Sequence, residues 1–136
     1  LDACISTNTL EHIPKESIIL IFKELYRTLK NEGVVAARID YSDHYAHTDP
    51  SISLLNYLKY SETEWLKYNH RSHYQNRLRH DDYVKLFADC GFKVIEEKLS
   101  FECTSIPQSL IEKFGDKEGN WAATSSYLIL KKAVVG

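Results

Sequence analysis

Two hydrophobic rhythms alternate along the chain. Ala3-Cys4-Ile5-Ser6 has the length and character of a short buried strand, and the polar Thr7-Asn8-Thr9 turn ends it. From Pro14 the period changes. Ile18, Phe22, Leu25 and Leu29 recur at helical spacing, with Ile21 beside them. Pro14 suits the opening of that helix, where a missing N–H does no harm, and Glu16 complements the dipole of its first turn. Asn31-Glu32-Gly33 stops it. Val34 to Ile39 then reads as a second strand, and its continuous apolar start predicts burial on both faces, as in parallel sheets.

Residues 40–80 are too many for a plain strand-to-helix loop, so 41–80 is expected to be an insertion with helices of its own. Ser61-Glu62-Thr63-Glu64 has the form of a capping box, and a further short helix is expected between Ile52 and Leu58. A third helix is predicted from Asp81 to Asp89, with Val84, Phe87 and Ala88 as its apolar face. Gly91 is placed to close it in the left-handed conformation. Strands are predicted at Phe92–Leu99 and Tyr127–Lys131, with a short helix at Ser109–Phe114 and turns at Gly115-Asp116 and Glu118-Gly119-Asn120. This order predicts one α/β sheet with right-handed crossovers. No repeat or linker divides residues 1–136 into two domains.

Composition changes the picture mainly by exclusion. With 43% hydrophobic residues the chain can build a core. A formal charge of −2 gives no general pull toward nucleic acid or an anionic membrane. No apolar run approaches the roughly 20 residues that span a bilayer. Cys4, Cys90 and Cys103 are odd in number and contain no C-x-x-C, which argues against a disulfide framework or zinc knuckle and for reduced thiols in the cytoplasm. The chain begins at Leu1 with no signal-peptide pattern, so a segment of a longer protein is the expectation.

Four stretches carry a resemblance. They are Leu1-Asp2-Ala3-Cys4-Ile5-Ser6 followed by Leu10-Glu11-His12-Ile13-Pro14; Glu24-Leu25-Tyr26-Arg27-Thr28-Leu29-Lys30-Asn31-Glu32-Gly33; Asp82 through Phe92; and Tyr127-Leu128-Ile129-Leu130-Lys131-Lys132. In this order they resemble the C-terminal half of class I S-adenosylmethionine-dependent methyltransferases, from the fourth strand to the antiparallel seventh. Asn31-Glu32 stands where that family usually has Pro-Gly, a departure confined to a turn. A bacterial sub-group also looks similar through Arg38-Ile39-Asp40-Tyr41-Ser42-Asp43-His44 and Tyr74-Gln75-Asn76-Arg77-Leu78-Arg79. The resemblance implies half of a Rossmann-like sheet, strand order 4-5-7-6 with the last strand antiparallel, and S-adenosylmethionine as methyl donor. The family's Gly-rich donor loop has no counterpart: none of Gly33, Gly91, Gly115, Gly119 and Gly136 forms G-x-G. The donor is therefore expected to be gripped mainly by other polypeptide. The strand at Ala3–Ser6 would then be a bare edge, expected to pair with a second copy of the chain.

Ligands of open α/β sheets lie beyond the carboxyl ends of the strands. That rule selects the loops at residues 7–14 and 40–49. By resemblance, Thr7, Asn8, Thr9 and His12 would lie along the methionine part of the donor; ordinary turn chemistry is the alternative. The second loop holds Asp40, Asp43, His44, His47 and Asp49. Imidazole titrates near neutrality, so His44 is the candidate base, oriented by Asp43 or Asp40, with His47 contacting the acceptor. A divalent metal is a second reading, although the spacing fits no standard metal motif. A plain polar loop is the third. Between Trp65 and His80 stand Lys67, Arg71, Arg77 and Arg79, with no acidic residue and with Trp65, Tyr68 and Tyr74 interleaved. This pattern suits a lid over an anionic acceptor, with Tyr74, Arg77 and Arg79 as contacts. RNA binding is less favoured, and a solvated helix with packed aromatics is the alternative. Arg77 and Arg79 flank Leu78, so opposite exposure is expected if that stretch is extended, with an ion pair to Asp81, Asp82 or Glu64.

Methyl transfer to a small or polar acceptor is thus the leading expectation. One rival is a non-catalytic protein-association module built on a remnant of the fold. Another is a different nucleotide-binding α/β enzyme, such as an oxidoreductase, against which the antiparallel last strand and the E-L-x-R-x-L-K helix weigh.

Overall fold

The computed structural model describes residues 1–134. Its regular elements are β1 (Ala3–Thr7), α1 (Lys15–Thr28), β2 (Val34–Asp40), α2 (Glu62–Tyr68), α3 (His80–Asp89), β3 (Phe92–Ser100), α4 (Gln108–Phe114) and β4 (Ser125–Lys132). One sheet holds the strands in the order β1-β2-β4-β3. β1 and β2 run parallel, and β4 is antiparallel to both of its neighbours. This is the expected half-sheet with its reversed last strand.

The sheet has unlike faces. Val35, Ala37 and Ile39 of β2 and Leu128 and Leu130 of β4 are buried against Ile18 and Phe22 of α1 and Tyr83, Leu86 and Phe87 of α3. The opposite face carries Ile5, Ala36 and Ile129 in one cross-strand row, and Ile5 is 77% exposed. Two expectations are corrected here. β1 is not buried, because it is an edge strand with no element over its outer face. β2 alternates between buried and half-buried residues rather than being enclosed on both sides, because no helix covers its second face.

α1 follows its predicted stripe, with Pro14 at its N-cap and Ile18 and Phe22 in the core. α3 is rotated from the expected face. His80, Tyr83, Leu86 and Phe87 are buried, whereas Val84 is half-buried and Ala88 exposed. The tyrosine and histidine can turn inward because their polar atoms find partners. Tyr83 donates to Asn76 Oδ1 at 3.2 Å, and His80 lies 3.0 Å from the Tyr41 hydroxyl and 2.8 Å from Glu97. Gly91 closes α3 with φ +93°, as expected.

The insertion builds its own small core. Leu55, Tyr57, Leu58 and Trp65 pack with Leu110 of α4 and Ala122. Ser61 and Glu64 form the predicted reciprocal cap on α2, at 3.1 Å in both directions. The expected helix at Ile52–Leu58 is reduced to a 3₁₀ turn at Asn56–Lys59.

Candidate functional site

Because β1 and β2 are parallel, their carboxyl ends emerge on the same side. Thr7 pairs with Arg38, and the Asn8 N–H donates to the Arg38 carbonyl at 3.0 Å. Asn8 sits at φ +50°, a conformation asparagine tolerates better than most side chains. Thr7, Asn8 and Thr9 are exposed at the strand tip, with the Thr9 hydroxyl donating to the Thr7 carbonyl at 3.0 Å. A 3₁₀ turn at Leu10–His12 then carries the chain toward the second tip. There the rings of His12 and His44 are 4.8 Å apart, and His44 stacks on His47 at 4.9 Å. The two candidate loops therefore converge.

Asp40 ends β2 and turns back under this cluster. Its Oδ1 accepts from the Ser42 N–H at 2.8 Å and the Ser42 hydroxyl at 2.6 Å, and its Oδ2 lies 3.5 Å from His44 Nε2. Burial on its own would raise the Asp40 pKa, but the adjacent His44 imidazole and the hydrogen bonds from Ser42 prevail and hold it down at about 2. The same contact with Asp40 raises the pKa of His44 against the opposing effect of burial. Asp43 plays a different part. It caps the 3₁₀ turn at His44–His47, accepting from the Tyr45 N–H at 2.9 Å and from Asn56 at 3.4 Å. Of the two expected orienting carboxylates, Asp40 is the one that faces His44. His47 is exposed and lies 3.1 Å from the Ser42 hydroxyl.

The Trp65–His80 stretch divides unexpectedly. Arg79 is buried, donating to the carbonyls of Trp121 (2.8 Å), Tyr41 (2.8 Å) and Ala123 (2.7 Å) and to the Tyr57 hydroxyl (2.7 Å). Arg77 donates to the carbonyls of Tyr57 and Tyr60, pairs with Glu62 at 2.9 Å and lies over the Trp65 ring. Arg79 ties the insertion to the segment that leads into β4, and Arg77 ties the insertion to itself. Neither the expected opposite exposure nor the expected acidic partners are found. The positive charge of Arg79 is answered by peptide carbonyls, which a sequence does not place, and that of Arg77 by carbonyls together with Glu62. Tyr74 reaches the site through its backbone, its carbonyl 2.9 Å from His12 Nδ1.

Three residues that patterning did not single out shape the site. Gln75 is buried, donates to the Ser42 carbonyl and accepts from the His44 N–H at 3.3 Å. Asn76 holds the first loop, donating to the carbonyls of Leu10 (3.0 Å) and Ile13 (2.8 Å). Glu11 is 1% exposed, and neither of its carboxylate oxygens has a hydrogen-bond partner. Burial raises its pKa above the usual carboxylate value. The Asp40–His44 and Tyr74–Arg79 blocks, distant in sequence, are thus laced together by Gln75 and Arg79.

Beside His44 opens a cavity of about 280 Å³, lined by Tyr45, Trp65, Tyr68, Asn69, His73 and Gln75 among others. Its walls are mostly aromatic. The Trp65 indole N–H is buried and has no hydrogen-bond partner.

No protein-family model matches the sequence, and no curated protein is similar to it. Solved structures do share its fold. An S-adenosylmethionine-dependent methyltransferase from Mesorhizobium loti superposes with TM-score 0.58 at 11% identity, covering 97% of this chain and 62% of that one. The mitomycin 7-O-methyltransferase MmcR gives 0.51 at 9% identity, covering 97% of this chain and 30% of that one. LepI, solved in complex with S-adenosylmethionine, gives 0.52 at 7% identity, covering 96% and 26%. The chain therefore has a Rossmann-like methyltransferase fold and spans less than two thirds of each of these proteins. No helix among the described residues is long and apolar enough to cross a membrane.

Proposed function

We propose that this chain is the C-terminal part of a cytoplasmic S-adenosylmethionine-dependent methyltransferase domain acting on a small or polar acceptor. The observation that carries the reading is the convergence of the two strand-tip loops, with the His12 and His44 rings 4.8 Å apart and His44 lining an aromatic cavity. Exposed polar groups of Thr7, Asn8, Thr9 and His12 suit the amino-acid portion of the donor. The donor's adenosine would be held by polypeptide outside this sequence, since no G-x-G occurs in it. The open edge of β1 and the uncovered sheet face around Ile5 are where such polypeptide would pack.

Bound there, the donor supplies an electrophilic methyl group on a sulfonium. The chain's own residues supply position and proton handling. The cavity admits a planar acceptor between aromatic walls. His44 receives the acceptor's proton, and Asp40 holds the imidazole and steadies the imidazolium that forms. His47, stacked on His44, would contact the acceptor.

The open edge favours a second reading, a protein-association module in which β1 pairs with another chain, a second copy included. Calorimetric titration of the full-length protein that carries this chain with S-adenosylhomocysteine separates the two. Saturable binding that His12→Ala weakens supports the enzyme. Absence of binding in the intact protein leaves the association module.

A further inference from the structure

Among the described residues, three of the five buried side-chain atoms without a hydrogen-bond partner belong to one small cluster. They are both carboxylate oxygens of Glu11 and Nε2 of His44. A carboxylate stripped of water and given no donor is strongly unfavourable unless a proton or a cation meets it. The surroundings point to a cation. One potential ligand atom from each of Glu11, His12 and His44 lies within 4.8 Å of the others. A second trio, Asp40, His44 and His47, meets the same limit and shares His44. His12 is also set up as a ligand. Its Nδ1 lies 2.9 Å from the Tyr74 carbonyl, which can only accept, so Nδ1 carries the hydrogen and Nε2 keeps its lone pair. A second hydrogen bond of this kind is what fixes metal-bound imidazoles.

We propose that Glu11, His12 and His44 bind a divalent transition-metal ion, with Asp40 within reach as a further ligand. The ligands come from two loops, which explains why spacing within the second loop matched no metal pattern. Two imidazoles and a carboxylate select zinc, cobalt or iron over magnesium or calcium, which favour all-oxygen shells. Ligand bonds of about 2.0–2.2 Å require only a modest closing of the trio. His12 is exposed and His44 borders the aromatic cavity, so a coordination position stays open for an oxygen ligand. If methyl transfer is the activity, that position would take an acceptor hydroxyl, and the ion would lower its pKa in place of a free His44 base; this clause alone rests on the function proposed above.

The test is a cobalt(II) titration of chelator-treated protein, read by visible absorption. The expected result is a saturating one-to-one band, displaced by zinc(II). Glu11→Gln and His12→Gln should each weaken binding by at least about tenfold, the loss that removal of even an outer partner causes. Thermal unfolding verifies that each variant is folded. His12→Gln, on an exposed ring, serves alone if the buried substitution is not tolerated. No saturable band overturns the site. So does binding that both variants retain, for example at the surface pair His70 and His73, whose rings are 5.2 Å apart. Titration with S-adenosylhomocysteine runs alongside. Lost cobalt binding with intact nucleoside binding removes the site and leaves the enzyme, and the reverse result removes only the acceptor clause.

Discussion

Replacing Arg79 with methionine is expected to loosen the insertion from the sheet and lower stability by about 3 kcal/mol. Arg79 makes four hydrogen bonds, three to carbonyls and one to the Tyr57 hydroxyl. Methionine fills much of the space and donates none of them. The Tyr41 carbonyl still accepts from the Tyr57 hydroxyl at 2.6 Å, so it keeps a partner. The carbonyls of Trp121 and Ala123 do not, and each buried polar group left unpaired costs about 1–3 kcal/mol. Two such groups give about 2–6 kcal/mol. The lower middle of that range is expected, because the cost of burying the guanidinium disappears with it. An unfolding entropy of about 2.1 cal/mol/K per residue, over 136 residues, is about 0.29 kcal/mol/K. About 3 kcal/mol then lowers Tm by about 10 °C. Differential scanning calorimetry measures this directly. Arg79→Lys should fall between, since an ammonium cannot reproduce the planar fork. A shift below about 3 °C for Arg79→Met would mean that these carbonyls find other partners, and the reasoning would fail.

Other expectations follow from the same geometry. Gly91→Ala must place a Cβ 2.6 Å from the Tyr26 ring at φ +93°, so a loss of about 2 kcal/mol or more is expected in chemical denaturation; an unchanged midpoint would contradict it. In chelator-treated protein the Asp40–His44 pair should stabilise most between about pH 4 and 6.5. The Asp40 pKa is depressed from 3.8 to about 2, so its contribution is present above the unfolded value and is lost as pH falls through the folded one. The His44 pKa is raised from 6.5, so its contribution is full below that value and fades as pH rises through the folded one. The Tm difference between wild type and Asp40→Asn should peak in that window, and a flat difference from pH 3 to 9 would remove the coupling. If β1 pairs with a second copy, light scattering should show a concentration-dependent dimer that Ile5→Lys, at a 77% exposed position on that edge strand, disrupts. A monomeric wild type at high concentration would exclude such pairing.

Much of the fold could be read in the sequence because its elements carry simple periods. The Ile18–Phe22 stripe, the Ser61–Glu64 cap and Gly91 each depend on local physics, and each is found where expected. The face of α3 differs from its apolar pattern because its buried residues include a histidine and a tyrosine, whose satisfaction depends on Tyr41, Asn76 and Glu97 from elsewhere in the chain. The site was half legible. Its loops follow from the rule that ligands sit beyond strand ends, but the meeting of His12 with His44 requires the parallel pairing of β1 with β2. Charge alone drew Arg77 and Arg79 into the binding set, because a sequence does not show which carbonyls lie within reach. Glu11 carries no local signal of its burial, which comes from the packing of its turn against the second loop. The one available signal for Gln75 and Asn76 was a run of long polar side chains with no acidic residue among them, which in a packed segment must be answered by the backbone.

Hydrogen exchange of the full-length protein that carries this chain, with and without S-adenosylhomocysteine, tests the central claim most directly. The account predicts slowed exchange in peptides covering residues 7–14 and 41–48, at the two tips that meet through His12 and His44. Unchanged exchange at both tips, or protection confined to the opposite end around Asn31–Gly33, would contradict it.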